Sequence, residues 1–165
     1  MVDGQFLFED FRGAVDGDVP RGWNASDRML VTGLGRERAL QVTSGTGDAS
    51  AVISGIAFPP NFTLQLTVVM PDICHARIEV TAGDLYFRAG GDCRSVVLLE
   101  EERGGDWDNQ RHALTIEKKG NVLKLFVDGK ERIVVRKTSI NVAGVARLKL
   151  QGGARIFELR GTALP

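Results

Sequence analysis

Residues 120–130 read Gly120-Asn121-Val122-Leu123-Lys124-Leu125-Phe126-Val127-Asp128-Gly129-Lys130. Leu123, Leu125 and Val127 alternate with Lys124 and Asp128, and Phe126 falls on the second face. Alternation with period two predicts a half-buried strand, one face on a core and one toward water. Asp128-Gly129 stands between this run and a second one that carries Ile133 and Val135. Asp-Gly between two such runs predicts a two-residue hairpin, because a type I′ turn needs positive φ at both central positions. Lys119-Gly120-Asn121 marks the turn at the other end of the same strand.

The same grammar extends in both directions. Phe62, Leu64, Leu66, Val68 and Met70 alternate with Thr63, Gln65 and Thr67. Leu148 and Leu150 alternate with Arg147 and Lys149, and Ile156 and Leu159 sit among Arg155, Glu158 and Arg160. Ala82-Gly83-Asp84, Gly90-Gly91-Asp92 and Gly152-Gly153 supply turns, while Pro59-Pro60 and Pro71-Asp72 close strands. Strand cores are predicted at 5–11, 28–32, 38–43, 50–57, 62–70, 73–81, 84–89, 93–100, 110–118, 122–128, 131–137, 145–151 and 154–160. No stretch of ten residues carries a helical period. The nearest to one, Glu100 to Arg103, reads as an acidic turn. The expected fold is all-β: a two-sheet antiparallel β-sandwich or jelly roll of about twelve to thirteen strands, with residues 1–165 as one domain.

Twenty glycines against five prolines suit a chain of tight turns. Lys plus Arg and Asp plus Glu both number 21. That balance argues against a general electrostatic grip on nucleic acid or anionic membrane. No apolar run approaches the roughly 20 residues that span a bilayer, so no membrane insertion is expected. The opening MVDGQFLFEDF lacks the pattern of a secretory signal. The compartment stays open: cell envelope or extracellular for an excised mature domain, otherwise cytoplasmic. Cys74 and Cys93 are either one bridge or two buried thiols, as their Cα separation decides.

Phe8-Glu9-Asp10-Phe11, then Pro20-Arg21-Gly22-Trp23, then Arg38-Ala39-Leu40-Gln41-Val42 open the chain. Asp106-Trp107-Asp108-Asn109-Gln110-Arg111-His112 leads into a strand and the Asp128-Gly129 hairpin. This series resembles the concanavalin A-like lectin/glucanase superfamily, and is most similar to its laminin G-like and 3-keto-disaccharide hydrolase-like members. The resemblance implies a lectin-like sandwich and, for the glucanase members, a Glu-x-Asp-x-x-Glu set of acids. This sequence lacks that set, since Glu100-Glu101-Glu102 has the acids at the wrong spacing. Trp23 is expected to cap one end of the core, and a buried indole covers roughly 150–250 Å².

No catalytic residue is assigned. There is no Gly-x-Ser-x-Gly, and Gly33-Leu34-Gly35 is a turn rather than a phosphate loop. Cys74 and His75 are adjacent on a strand and so face opposite ways, which argues against a dyad. The two cysteines and two histidines match no zinc-site spacing. No cofactor is required. The candidates for a calcium ion are Asp16, Asp18 and Asp27, or Asp106 and Asp108.

The main site candidate is Asp106, Trp107, Asp108, Asn109 and Arg111: an aromatic face for a sugar ring, with carboxylates, an amide and a guanidinium for its hydroxyls. The bland alternative is a core tryptophan among solvated loop residues. Tyr86 and Arg88 are a second candidate, since i and i+2 on a strand share a face. Asn24-Ala25-Ser26 and Asn61-Phe62-Thr63 are formal glycosylation sequons. The expected function is a non-enzymatic module that binds a carbohydrate or protein surface. A self-association domain, for instance a homodimer, is the alternative. A glycoside-processing enzyme is the third reading.

Overall fold

The computed structural model describes residues 4–25, 29–42, 48–53, 56–71, 75–91, 95–104, 110–137 and 139–165. Fifteen strands appear among them: β1 (Gln5–Glu9), β2 (Asn24–Ala25), β3 (Met29–Thr32), β4 (Ala39–Val42), β5 (Asp48–Val52), β6 (Phe62–Val69), β7 (Arg77–Ala82), β8 (Leu85–Gly90), β9 (Ser95–Leu98), β10 (Glu101–Gly104), β11 (Arg111–Lys119), β12 (Val122–Val127), β13 (Lys130–Arg136), β14 (Arg147–Gln151) and β15 (Arg155–Ala163). They form two antiparallel sheets. One runs β13-β12-β11-β6-β15-β4-β3, with β1 also paired to β15. The other runs β10-β9-β8-β7-β14-β5-β2.

The alternation read in the sequence is what glues the sheets together. Leu64, Leu66, Leu114, Ile116, Leu123, Leu125 and Ile156 point inward from the first sheet. Ile78, Val80, Leu85, Phe87, Val96, Leu98, Leu148 and Leu150 meet them from the second, in one continuous core. Each fully buried side chain of this size is worth roughly 1.5–3 kcal/mol. Trp23 is partly buried and packs against that core, its ring edge-to-face with Phe11 at 6.0 Å.

The Asp128-Gly129 hairpin forms as read, with Val127 opposite Lys130 and φ of 51° and 80° at the two turn residues. Asp128 also explains why an aspartate suits this corner. Its carboxylate accepts from the Ala113 amide at 2.9 Å and lies 2.7 Å from His112 Nδ1, tying the turn back to β11.

Two strands have no counterpart in the sequence reading. β2 is too short to show a period. β10 is the acidic run that reads as a turn: Glu101 to Gly104 pair with Leu98 to Ser95, and all four residues are exposed. An edge strand wet on both faces carries no apolar alternation. Its turn is made by Leu99 and Glu100, with Leu99 at φ 56°, where no glycine signals it. β1 stops at Glu9 rather than at residue 11 because Phe11 turns to φ 64°. The strand expected at 50–57 is 48–52, and the one expected at 73–81 is 77–82. Gly33-Leu34-Gly35 leads into a single 3-10 turn, Gly35–Glu37. Among the described residues no helix is long and apolar enough to cross a membrane. Cys74 and Cys93 lie outside the described residues.

Candidate functional site

The hairpin of β7 and β8 turns on Gly83 and Asp84. Ile78, Val80 and Ala82 face the core from β7, so Arg77, Glu79 and Thr81 face outward. Leu85, Phe87 and Ala89 do the same on β8, leaving Tyr86 and Arg88 outside. The register then draws a line across the sheet. Lys149 on β14 pairs with Glu79, Glu79 with Arg88, Arg88 with Val97 on β9, and Val97 with Glu102 on β10. Cationic and anionic side chains thus alternate on four of these five strands, with Val97 between Arg88 and Glu102.

These groups are wired together. The Tyr86 hydroxyl donates to Glu79 Oε1 at 2.7 Å, and Arg77 Nη2 donates to the same oxygen. Arg88 Nη2 reaches Glu102 Oε2 at 3.1 Å and Ser95 Oγ at 3.3 Å. Although they point away from the core, Glu79 is only 9% exposed, Ser95 6% and Val97 8%. These outward positions are therefore recessed among the long side chains around them, Glu79 beside Tyr86 and Arg77, and Ser95 beside Arg88.

Burial pushes the Glu79 carboxyl up, but the Tyr86 hydroxyl, Arg77 and nearby Lys149 outweigh it and hold it below its ordinary value. The group stays ionised at neutral pH. Both of these bonds land on Oε1. Because the folded-state value is depressed, the stability it contributes is present above the ordinary carboxylate value. It is lost as pH falls through the lower folded-state value. Tyr86→Phe is expected to cost about 1.5–3 kcal/mol at pH 7, as a bond to a charged acceptor does. Urea unfolding at pH 3 should show a smaller gap between variant and wild type. An equal gap at both pH values would mean that Tyr86 does not act on an ionised Glu79.

No family model matches the chain, and no curated protein matches it by sequence. Solved structures do match. A Bacillus licheniformis β-glucanase superposes with a TM-score of 0.70 at 13% identity, over 99% of this chain and 100% of that one. The Emp47p carbohydrate recognition domain gives 0.71 at 13% identity, over 99% and 96%. The fold is concanavalin A-like. The VIP36 exoplasmic/lumenal domain, solved with Ca2+ and Man3GlcNAc, adds a TM-score of 0.67 at 9% identity, over 87% and 84%.

The sandwich places the described members of the two site candidates on different sheets. Tyr86 and Arg88 share the recessed face. Arg111 starts β11 on the opposite sheet, where its guanidinium lies over the Phe157 ring at 3.9 Å. Asp106, Trp107, Asp108 and Asn109 lie outside the described residues. Of the aspartates considered for calcium, Asp16 sits 3.4 Å from Arg38 Nη1, and Asp18 accepts the Val19 amide at 2.8 Å. Asp27 lies outside the described residues. Among the described residues no three His, Cys, Asp or Glu side chains gather around a common point.

Sequence reasoning missed Arg77, Glu79, Ser95, Glu102 and Lys149 as members of one face. Part of the signal was present. The two-residue loop at Gly83-Asp84 fixes Glu79 opposite Arg88 by counting alone. The partners on β14 and β10 come from distant sequence, and no local pattern announces them.

Proposed function

We propose that this chain is a non-enzymatic glycan-binding module whose site is the recessed face of the seven-stranded sheet. The observation that carries this is the outward row Lys149, Glu79, Arg88 and Glu102, joined by Tyr86 and Ser95. A sugar presents closely spaced hydroxyls that each donate and accept. A surface that alternates guanidinium donors with carboxylate and hydroxyl acceptors answers that pattern. Recession shields those bonds from competing water and raises their worth. Two of the structures that share the fold support the reading: one is named as a carbohydrate recognition domain, and one is bound to Man3GlcNAc. The segment 106–109 leads from β10, at the edge of this sheet, toward β11. Trp107 is the aromatic anchor we propose for it.

A glycan array probed with the wild type, Arg88→Ala and Trp107→Ala tests this. Wild type should retain at least one glycan class, and Arg88→Ala should weaken it by about tenfold or more. Trp107→Ala should lower retention as well. Absence of any bound glycan, or binding indifferent to Arg88, would overturn the proposal.

A further inference from the structure

The opposite sheet carries a cavity. Its outer face is interrupted where the register of β15 slips between Ile156 and Glu158. Phe157 is the extra residue, and it packs outside the main core with Val69 and Ala39. Arg111 and Arg155 are the two register partners of Val69, from either side. Their guanidinium carbons lie 3.9 and 5.6 Å from the Phe157 ring centre. Beside this stack opens a cleft of about 350 Å³. That size is at the small end of ligand pockets, enough for one sugar-sized unit.

Four arginines line the cleft: Arg12, Arg36, Arg38 and Arg111. They are not equivalent. Arg38 is structural, because its Nε donates to the Phe11 carbonyl at 2.9 Å, Nη1 to Gly33 at 2.9 Å and Nη2 to Ala14. Arg111 is held in place by Phe157, the Arg36 carbonyl and the Glu37 carboxylate. Arg12 pairs at 3.7 Å with Asp10 in an exposed position, a weak commitment. The Arg36 side chain is exposed and makes no hydrogen bond or ion pair among the described residues. Phe8, 44% exposed, completes the wall.

We infer that this cleft is a second binding site, for a sugar unit that bears a single carboxylate. Guanidinium forks match a carboxylate in two parallel bonds; Arg36 offers such a fork, and Arg111 adds the charge of a guanidinium whose Nη2 is already engaged. The lining also holds Asp10 and Glu158. Those acids would repel a doubly charged phosphate, yet they accept hydroxyls well. A ligand with one negative charge, several hydroxyls and an apolar ring face for Phe8 fits all of these groups together. The inference goes beyond the glycan site proposed above, lies on the other sheet and uses none of its residues.

Calorimetric titration of the full chain with a galacturonate disaccharide, the neutral galactose disaccharide and acetate tests it. The galacturonate disaccharide should bind about tenfold or more tightly than the neutral one, and more weakly as salt is raised. Arg36→Glu should weaken it by about tenfold or more. Phe8→Ala should weaken it without altering the preference for the acid. Arg88→Ala should leave it unchanged, which separates this site from the recessed face. Equal binding of both disaccharides would overturn the inference, as would indifference to Arg36→Glu. Acetate matching the disaccharide in affinity would do the same, since it would show a site for a free anion alone.

Discussion

Phe87→Ala is expected to lower stability by about 3–5 kcal/mol, the usual cost of emptying a buried aromatic site. Phe87 is fully buried on the inner side of β8, between outward-facing Tyr86 and Arg88. The substitution removes a ring from the centre of the core and leaves a cavity that neighbouring strands cannot close without breaking register. Urea unfolding should show the midpoint falling with little change in slope. The loss should reach the recessed face too, because the ring holds the strand that aims both site residues. Phe87→Leu, which keeps most of the volume, should cost less than about 1.5 kcal/mol. A loss under about 1 kcal/mol for Phe87→Ala would contradict its place in the core.

Gly90→Ala should be nearly as damaging, for a different reason. Gly90 ends β8 at φ 78°, where a side chain is strained. A Cβ there would lie 2.2 Å from the Ala76 carbonyl oxygen and 2.5 Å from Met70 Cε. The Met70 side chain can yield, whereas the Ala76 backbone sits at the entry to β7 and cannot. Strain and overpacking together put the cost at about 3–5 kcal/mol. The melting temperature should then drop on the order of 10 °C. Gly120→Ala is the control. Gly120 also has positive φ, 57°, but nothing lies within 4 Å of its added Cβ. It should cost only about 1 kcal/mol. Equal losses at the two glycines would show that backbone conformation, not close approach, governs Gly90.

The class of fold was legible because its evidence is local. Alternation along Leu123, Leu125 and Val127, or along Leu64, Leu66 and Val68, reports which face of a strand is buried wherever that strand ends up. Asp128-Gly129 reports a hairpin because positive φ is a property of two adjacent residues. β10 was illegible for the converse reason: at a wet edge neither face is buried, so Glu101, Glu102 and Arg103 leave no period to read. Leu99 makes its turn at positive φ without a residue type that advertises it.

The site divides along the same line. Spacing along one strand by itself determined that Tyr86 and Arg88 share a face, and composition that guanidiniums and carboxylates abound. Tertiary structure decided that Lys149, 70 residues from Glu79 in sequence, would be its register neighbour. It decided that Arg111 would stand on the other sheet, over a phenylalanine displaced by a bulge. It also decided that Glu79, Ser95 and Val97 would be buried although they face outward. Strand order and sheet curvature arise from packing between segments far apart in the chain, and only the assembled sandwich records them. The twelve to thirteen strands read from local pattern became fifteen among the described residues. The grouping of charges into a recessed face and a separate arginine cleft belongs to the fold alone.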